Sequence, residues 1–377
     1  MKRRLVYTAA CPYPVPQGSQ VFLRGSAMAM QDLGHEVCLV VYGYGVGDTP
    51  PDLPVFRCRH LPFGKRTDAG PSLGKPLRDL ALVRTLRGVV CERGADAVIA
   101  HNYEGLLVAL AARVRPVIYQ AHNAMADELP SYARRAFMKA LCRRFGLFLD
   151  RALPTRADAI IAPHAALAEY LIASGCPEAK VACIPPSVDT AAFATPSPPA
   201  SAPTILYTGN LDAYQNLGFL RSVMERVRLA EPGACLTVAT SRPERVSSIF
   251  GDTVHSVDTP GFESLVRVLA QDAIAVCPRV SWSGYPIKLL NAMAAGLPVV
   301  ACRGAAHPLT GGTDGLVVAD NDANAFAEAV LRLWRGPDLR ARLGAAARET
   351  ALKRHAPRVV AGQAEAVIER VIRRADV

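Results

Sequence analysis

The sequence contains no uninterrupted apolar run long enough to cross a membrane, and its opening residues MKRRLVYTAACPYP reach a proline too early for a secretory signal peptide. We therefore expect a cytoplasmic protein. The ten cysteines include no Cys-x-x-Cys pair and no Cys/His spacing typical of a metal site. They are expected to be reduced thiols in the core, and neither a metal nor a cofactor is predicted.

Basic clusters interleaved with aromatic side chains are also absent, which argues against nucleic acid as a partner. The net charge is nevertheless +10, and it suits an anionic membrane surface or a sugar nucleotide. A length of 377 residues exceeds that of a typical single domain and accommodates two domains, each able to bury a core.

Short apolar runs alternate with segments of helical periodicity along the chain, a pattern typical of mostly parallel sheets covered by helices. Two such series are separated by 195–203, a tract of Pro, Ser and Ala that predicts a semi-extended linker. The predicted strands are Leu5–Ala10, Val37–Tyr42, Ala97–Ala100, Pro116–Ala121, Ala159–Ala162 and Val181–Ile184 before the linker, and Thr204–Thr208, Leu236–Ala239, Val254–Val257, Ile274–Cys277, Val299–Cys302 and Leu316–Ala319 after it. We therefore predict an α/β protein with two Rossmann-like domains, 1–194 and 204–356, that face each other across a ligand-binding cleft.

The stretch Ala273–Cys302 predicts a strand, a loop, a helix stopped by Gly296 and Pro298, and a second strand. Pro286 suits the first helical position because its missing N–H would be unpaired there anyway. The loop 278–285 then follows the carboxyl end of a buried strand and leads into a helix N-terminus, where backbone N–H groups and the helix dipole favour anions. A phosphorylated ligand is expected at this place.

Within this stretch, GYPIKLLNAMAAGLPVV resembles the donor-binding segment of the retaining glycosyltransferases of the GT-B fold, in the glycogen-synthase-like group called family 4. The family pattern is Glu-Gly-Phe-Gly, four residues, then Glu-Ala-Met-Ala-x-Gly-x-Pro-Val-Val. Its two glutamates, associated with the transferred sugar and the nucleotide ribose, correspond to Ser283 and Asn291. The resemblance thus implies Ser283 and Gly284 at the sugar and Asn291 at the ribose, without the charge-assisted bonds of a carboxylate.

A second resemblance lies in YTGNLDAYQN, where the family commonly has Gly-Arg and then a Lys, two cations that hold the donor diphosphate. After Gly209 these cations are replaced by Asn210 and Gln215. The leaving diphosphate still requires stabilisation of its charge. We predict that Lys288 and Arg279 supply it.

The backbone at the start of the helix that follows loop 278–285 is also predicted to bind the diphosphate. Tyr285, Pro286 and Ile287 form this entry, and N–H groups near them would hold the diphosphate. From the first domain, Gly18 lets the backbone approach a ligand, and Ser19 can cap the helix that follows or face the acceptor. In the resembled family a Gly-containing loop at this place packs against the donor diphosphate or the acceptor; a Pro-rich turn without a ligand role is the alternative.

Two histidines stand just past predicted strands of the first domain, His101 in VIAHNYEG and His122 in YQAHNAMADE. The family usually has a His at the place of His122, near the reacting sugar, so His122 is the predicted catalytic side chain. His101 is predicted to be structural or to face the acceptor. Asp127 and Glu128 either contact an acceptor hydroxyl or are solvated acids that begin a helix.

The segment Ser131–Arg151 is the most basic part of the chain. It carries an apolar helical stripe, Phe137, Leu141, Phe145 and Phe148. One interpretation is a helix on an anionic membrane, which would make the protein peripheral at the inner face of the plasma membrane. The other is an ordinary helix with its stripe in the core. Only Arg134 and Arg144 flank the stripe as membrane-bound charges should, while Arg135, Lys139 and Arg143 oppose it, which favours the core interpretation.

The resemblance implies a metal-independent retaining glycosyltransferase that moves a sugar from a UDP- or GDP-sugar to a sugar, polyprenyl-linked or lipid acceptor in bacterial surface polysaccharide or glycolipid assembly. The departing phosphate oxygen would take the acceptor proton in a front-face displacement. It also implies that the last helix, 357–377, returns to the first domain. Two alternatives stay open: a nucleotide-sugar 2-epimerase, which would need carboxylates to move protons, and a non-catalytic sugar-nucleotide binder.

Overall fold

A computed structural model of the chain describes residues 1–15, 18–47, 49–60, 74–133, 135–193 and 203–375. Residue contacts divide the chain into two compact units. The first consists of Met1–Ser187 and Pro357–Val377, and the second consists of Val188–Ala356. Of the predicted linker, 195–202 lies outside the described residues, and the predicted domain limits stay predictions.

The strands are β1 (Arg4–Ala9), β2 (Glu36–Val41), β3 (Val55–Arg57), β4 (Ala97–His101), β5 (Val117–Gln120), β6 (Ala159–Ala162), β7 (Val181–Cys183), β8 (Thr204–Thr208), β9 (Leu236–Thr240), β10 (His255–Asp258), β11 (Ala273–Cys277), β12 (Val299–Cys302) and β13 (Leu316–Val318). The α-helices are α1 (Gly18–Asp32), α2 (Lys75–Arg93), α3 (Asn102–Ala111), α4 (Met125–Glu128), α5 (Ala136–Ala152), α6 (Ala165–Ala173), α7 (Leu217–Ala230), α8 (Val246–Phe250), α9 (Phe262–Leu269), α10 (Ile287–Ala294), α11 (Ala323–Arg335), α12 (Pro337–Arg354) and α13 (Pro357–Ala375). Within the described ranges, no helix is both long enough and apolar enough to cross a bilayer.

In the first unit, β1 to β7 form a parallel sheet in the order β3-β2-β1-β4-β5-β6-β7. Central strands such as β4 are buried along their whole length, as expected for continuous apolar runs covered on both faces. The last helix, α13, belongs to this core, where Val360 and Ile368 join the cluster that contains Leu23 of α1. Arg3 also donates two hydrogen bonds, of 2.7 and 2.8 Å, to the Glu369 carboxylate. The end of the chain therefore completes the first unit.

In the second unit, β8 to β13 form another parallel sheet in the order β10-β9-β8-β11-β12-β13. Alternate residues of its strands point into two apolar clusters, one on each face. Leu220 of α7 and Phe326 of α11 pack in one cluster. Met293 of α10 and Ala347 of α12 pack in the other. Helix α10 is thereby fixed beside the carboxyl ends of β11 and β12.

Both sheets have the strand order of a Rossmann fold, in which the order reverses next to the first strand of each unit. The reversal lies between β1 and β4 in the first unit and between β8 and β11 in the second. At such a switch point the loops after the two strands diverge and leave a crevice for a ligand. The predicted α/β architecture of two Rossmann-like domains is confirmed, while the cleft between them stays a prediction.

All predicted strands are present, with ends within one residue of those predicted. Strand β3 was not predicted, because its three residues, two half-buried and one exposed, are too few to show a periodic pattern. The prediction for Pro286 was wrong: α10 begins at Ile287, and Pro286 precedes it as the N-cap residue, with φ −83° and ψ 88°. Its fixed φ still serves the turn into the helix.

Candidate active site

The second unit gathers the predicted donor residues at the switch point between β8 and β11. Gly209 directly follows β8, and Lys288 lies in the first turn of α10. The Lys288 ammonium donates to Gln215 Oε1 at 2.6 Å, and Gln215 Nε2 donates to Asn210 Oδ1 at 2.8 Å. A Cβ on Gly209, which has φ 121°, would lie 4.0 Å from Lys288 Nζ. Asn210, Gln215 and Lys288 thus form one chain of hydrogen bonds that passes beside Gly209.

The surroundings of Lys288 disfavour its positive charge. Burial lowers the pKa of Lys288 to about 8, an effect that the thiol of Cys277 opposes and the guanidinium of Arg279 reinforces. The ammonium also lies 4.1 Å from the centre of the Tyr207 ring, a cation–π contact that replaces part of its lost hydration. Among the described residues no carboxylate pairs with Lys288. An anionic ligand would supply the missing counter-charge.

Arg279, the second predicted cation, lies two residues beyond β11. Its guanidinium lies over the ring of Tyr214, 5.2 Å from the centroid, and Nη2 donates to Ser281 Oγ at 3.2 Å. Its Nε is buried and has no hydrogen-bond partner in the part of the chain that the structure describes. A Cβ on Gly284 would collide with Nη2, so Gly284 makes the room in which the guanidinium lies.

The remaining predicted donor residues lie on the loop before α10 and on the helix itself. Ser283 is buried and Asn291 is half-buried. The Ile287 N–H donates to the Tyr285 carbonyl at 3.1 Å, and Pro286 has no N–H. Neither Pro286 nor Ile287 therefore offers a free backbone donor in this structure, and the side-chain cations become the main candidates for holding an anion.

Sequence reasoning missed three residues that hold this network together. The Tyr207 hydroxyl donates to the Asn210 carbonyl at 2.6 Å, and Asn210 Nδ2 donates to the Tyr214 hydroxyl at 2.7 Å. Asn216, in a left-handed conformation with φ 59°, donates from Nδ2 to the Pro278 carbonyl at 3.2 Å. This bond ties the loop after β8 to the loop after β11. All three missed residues lie in the YTGNLDAYQN motif, which was the only signal for them.

The first unit brings His101 and His122 into direct contact, although they are 21 residues apart in the sequence. His101 ends β4 and His122 follows β5, and these strands pair in parallel, so their carboxyl ends are neighbours. His101 Nδ1 lies 3.1 Å from His122 Nε2. On its other side, His101 Nε2 lies 3.4 Å from Ser26 Oγ of α1. The Phe22 ring contacts both imidazoles, at centroid distances of 5.6 and 5.1 Å.

Burial keeps both imidazoles neutral. It lowers the pKa of His101 well below the ordinary value, with His122 adding to the effect, and it lowers the pKa of His122 to about 4. A neutral imidazole has one donor and one acceptor nitrogen. His122 can therefore hydrogen-bond a ligand hydroxyl at neutral pH without bringing a charge into the site.

In the segment after His122, the carboxylate of Glu128 is hydrogen-bonded within the protein. The Glu128 carboxylate accepts from the Tyr132 hydroxyl at 2.7 Å and from the Asn123 amide. Burial raises the pKa of Glu128. The interpretation as a solvated acid is therefore wrong for Glu128. Asp127 is half-buried beside it, and its contact with an acceptor stays a prediction.

Gly18 and Ser19 lie at the start of α1, where both are exposed. Within the described residues the helix starts at Gly18, ahead of the predicted cap residue Ser19. Ser19 is therefore inside the first turn rather than at the cap, and its hydroxyl donates to Gln20 Oε1 at 2.7 Å. Their contact with a ligand stays a prediction.

Helix α5 presents its apolar stripe to solvent. Phe137, Leu141, Phe145 and Phe148 are 66, 55, 55 and 62 % exposed, and the buried residues of the helix are Gly146 and Asp150. The core interpretation of the stripe was wrong. The flanking Arg144 is exposed, and the predicted flanking residue Arg134 lies outside the described residues.

The inward face of α5 holds the segment that follows His122. The Asp150 carboxylate accepts from the N–H groups of Met125 and Ala126, at 2.9 and 3.0 Å, and so caps α4. A Cβ on Gly146 would lie 2.5 Å from the same backbone. The two buried residues of the helix, a glycine and a carboxylate, thus both contact α4.

Comparisons with known proteins agree with this architecture. Residues 17–187 match the family described as "Glycosyl transferase 4-like domain", and residues 202–336 match "Glycosyl transferases group 1". The chain is 25% identical over 307 residues to an MMP alpha-(1->4)-mannosyltransferase of Mycolicibacterium hassiacum, covering 76% of this chain and 74% of that protein. It is 29% identical over 202 residues to a GDP-mannose-dependent alpha-(1-6)-phosphatidylinositol monomannoside mannosyltransferase of Mycolicibacterium smegmatis, covering 47% and 53%.

Solved structures share the fold at low sequence identity. A sucrose-phosphate synthase from Thermosynechococcus elongatus superimposes with a TM-score of 0.83 at 18% identity, over 99% of this chain and 100% of that one. HepE of Anabaena, in complex with UDP and glucose, superimposes with a TM-score of 0.74 at 16% identity, over 98% and 100%. Taken with the two family matches, this likeness confirms the resemblance drawn from the motifs. The chain belongs to the GT-B glycosyltransferases that join a glycosyl transferase 4-like domain to a group 1 domain.

Proposed function

We propose that the protein transfers a sugar from a UDP- or GDP-sugar, with retention at the anomeric carbon, to a hydroxyl of a sugar, polyprenyl-linked or lipid acceptor in surface polysaccharide or glycolipid assembly. The observation that carries this proposal is the pair of cations at the second switch point. Lys288 has a lowered pKa and no carboxylate partner in the described part of the chain, and Arg279 has a buried Nε without a partner. Two such cations side by side fit a diphosphate.

The roles proposed for the donor residues combine this pair of cations with the family resemblance. Lys288 and Arg279 hold the diphosphate and stabilise the charge that develops on it as it leaves. Ser283 and Gly284 face the transferred sugar, and Asn291 hydrogen-bonds the ribose. Asn210 and Gln215 act through Lys288, because their amides orient its ammonium without neutralising it.

The names of related proteins support this donor class. One relative is named as GDP-mannose-dependent, another as a mannosyltransferase, and structures of the same fold are described with UDP or UDP-glucose. Each description concerns that protein. Mannosyl transfer from GDP-mannose is the first donor that we would test for this chain.

The chemistry requires little from side chains beyond positioning and charge. In a front-face displacement the departing phosphate oxygen takes the proton of the acceptor hydroxyl, so no paired carboxylates are needed. His122 is proposed as the side chain of the first unit that contacts the reacting sugar. Because burial lowers the pKa of His122 to about 4, it acts as a neutral hydrogen-bonding group.

Nucleotide binding tests the proposal directly. A panel of UDP- and GDP-sugars is screened by thermal shift, since a ligand that binds only the folded protein raises its melting temperature. We expect one nucleotide class to raise it, and Lys288→Ala to weaken that affinity by about 10- to 100-fold, the effect of removing a hydrogen bond to a charged group. Lys353→Ala is the control, because Lys353 is exposed in the same unit and pairs with Glu349.

A shift that is unchanged in Lys288→Ala would place the diphosphate elsewhere. Product analysis then separates the remaining activities. Free nucleoside diphosphate with a glycosylated acceptor is expected. An epimerised sugar nucleotide, or binding without turnover, would contradict the proposal.

We also propose that α5 lies on an anionic lipid surface. Arg144 flanks its exposed stripe, and Lys139, Arg143 and Arg151 are exposed as well, with Lys139 and Arg143 on the opposite side of the helix. Its single acidic residue, Asp150, is buried and occupied by the N–H groups of α4. The solvent-facing charges of the helix are therefore all positive, as a helix bound to anionic lipid requires. Such binding would hold the enzyme peripherally at the inner face of the membrane, beside a lipid-linked acceptor.

A further inference from the structure

Three polar side chains stand in a row inside the first unit. Ser26 of α1, His101 at the end of β4 and His122 after β5 are joined by contacts of 3.4 and 3.1 Å. The row is enclosed by aromatic rings: Tyr7 lies 5.5 Å from His101 by ring centroid, and Phe22 contacts both imidazoles. His101 itself is 1 % exposed. A buried histidine at the centre of such a row must satisfy both of its ring nitrogens.

The protons of the row can be counted from one end. Ser26 Oγ lies 3.1 Å from the Leu23 carbonyl, which can only accept, so the Ser26 hydroxyl donates to it. Ser26 Oγ is then the acceptor in its contact with His101, and His101 Nε2 carries the proton. A neutral His101 therefore has a bare Nδ1, which accepts from His122 Nε2–H. The count ends with a bare Nδ1 on His122.

The opposite arrangement fits the distances less well. If His101 Nδ1 donated to His122, then His101 Nε2 would need the Ser26 proton. The hydroxyl would have to leave the Leu23 carbonyl at 3.1 Å for a contact of 3.4 Å. That exchange would give up the shorter hydrogen bond for a longer contact. The arrangement with the proton of His101 on Nε2 and that of His122 on Nε2 is therefore favoured.

Among the residues that the structure describes, no other group hydrogen-bonds His122. Within the described residues, neither imidazole hydrogen-bonds a carboxylate, and Nδ1 of His122 has no hydrogen-bond partner. In many active sites a carboxylate orients the histidine and thereby sets its tautomer. In this chain a second, neutral histidine occupies that place.

We infer that Ser26 and His101 are positioning residues that hold His122 in the Nε2–H tautomer, so that its Nδ1 lone pair accepts a hydrogen bond from a hydroxyl of the sugar substrate. This inference rests on the proposed function for the identity of the ligand, but not for the tautomer. His101 was predicted to be structural or to face the acceptor; here it sets the tautomer of His122 instead. It also specifies the ligand group: a hydroxyl that donates, rather than an anion or a carbonyl oxygen.

The tautomer is measured on the full chain by nitrogen NMR of ¹⁵N-labelled histidine side chains, without substrate. We expect one dominant form of His122 in the wild-type protein, protonated at Nε2 and bare at Nδ1. In His101→Phe, which keeps an aromatic ring but no ring nitrogen, both tautomers should be populated. His101→Asn, whose amide oxygen can replace the Nδ1 acceptor, should restore the wild-type form. A wild-type His122 protonated at Nδ1 would overturn the inference.

Activity gives a second, independent readout. We expect His101→Phe to lower kcat by about tenfold or more, as when the partner that orients an active histidine is removed, with little change in the KM for the donor. In a His122→Ala background the same change should have almost no further effect, because positioning acts only through His122. Equal losses in both backgrounds would show a merely structural role for His101.

His164 provides the matched control. It is a buried histidine of the same unit, 6 % exposed, and it caps α6 by accepting from the Leu167 N–H at 3.2 Å. His164→Ala should lower stability but leave the His122 tautomer unchanged. If no sugar nucleotide binds at all, the proposed function fails while the tautomer measurement still decides the inference.

Discussion

At the scale of single residues, Lys288 shows how a binding site conflicts with stability. Its ammonium is hydrogen-bonded to a neutral amide and faces the Tyr207 ring, and no carboxylate of the described residues offsets its desolvation. A carboxylate at Gln215 or Asn210 would stabilise the empty protein but would also compete with a diphosphate. Under the proposed function, the neutral residues at these two places keep the charge available for the diphosphate.

This conflict predicts that Lys288→Met stabilises the empty protein while it weakens nucleotide binding. Burial lowers the pKa of Lys288 from 10.5 to about 8 in the folded state. The unfolded chain therefore binds more protons between pH 8 and 10.5, and wild-type stability rises with pH across that window. Below pH 8 the whole penalty is present, so the variant should be more stable at pH 7, by about 1–3 kcal/mol.

Denaturant unfolding of both proteins at pH 7 and pH 10 measures this difference. The advantage of Lys288→Met should shrink at the higher pH, because the wild-type lysine is then neutral. Lys353→Met, at an exposed ion pair, should change stability little at either pH. A Lys288→Met protein that is less stable than the wild type at pH 7 would contradict the assignment of a penalised ammonium.

The sequence predicted the chemical groups of the candidate site better than their contacts. Lys288 and Arg279 could be nominated because they stand next to a motif with a known ligand. The rings of Tyr207 and Tyr214 could not, because a cation–π contact depends on which strands are neighbours. For the same reason the contact between His101 and His122 could not be predicted: the two residues are 21 positions apart and meet only because β4 pairs with β5.

At the scale of elements, α5 shows the limit of periodicity as a signal. An apolar stripe indicates a helix with two different faces, but it does not say which face the rest of the unit covers. In α5 the covered face is set by Gly146, which lets the backbone of α4 approach, and by Asp150, which caps that helix. One small and one polar residue thus direct the stripe outward.

This arrangement predicts that the double substitution Phe145→Glu and Phe148→Glu abolishes binding to anionic vesicles without lowering stability. The two rings are exposed, so glutamates cost little in the folded protein, but they remove apolar area and add repulsion at an anionic surface. Co-sedimentation with vesicles of phosphatidylglycerol and phosphatidylcholine measures the loss. Wild-type binding should weaken with salt and be much weaker to phosphatidylcholine alone.

Leu229→Glu is the control for this experiment, because Leu229 is 86 % exposed on α7 of the other unit. It should leave vesicle binding unchanged. Wild-type protein that does not bind anionic vesicles, or a double variant that still binds them, would show that α5 is not the lipid-binding element.

At the scale of the whole molecule, the two units share one strand order, and the chain returns to its first unit at the end. The alternation of strands and helices was enough to predict the two Rossmann-like units, because each sheet consists of consecutive strands of the chain: β1 to β7 in the first unit and β8 to β13 in the second. The place of α13 could not be derived from periodicity, because an amphipathic helix fits either sheet. It is the core cluster around Leu23 and Ile368 that assigns α13 to the first unit.

Because α13 packs in the core of the first unit, we expect Ile368→Ala to destabilise that unit alone. Ile368 is fully packed in that core, so its truncation should cost about 2–4 kcal/mol. The two tryptophans, Trp282 and Trp334, both belong to the second unit, and their fluorescence reports the unfolding of that unit. In Ile368→Ala the tryptophan transition should stay in place while hydrogen exchange accelerates in the strands of the first unit.

The reciprocal variant is Leu343→Ala, in the core of the second unit. It should shift the tryptophan transition and leave hydrogen exchange in the strands of the first unit unchanged. Because residues 357–377 reach the first unit only after the whole second unit has been synthesised, separate stabilities would also mean that the second unit can fold before the first is complete. A tryptophan transition that moves equally in both variants would show instead that the chain unfolds as a single cooperative body.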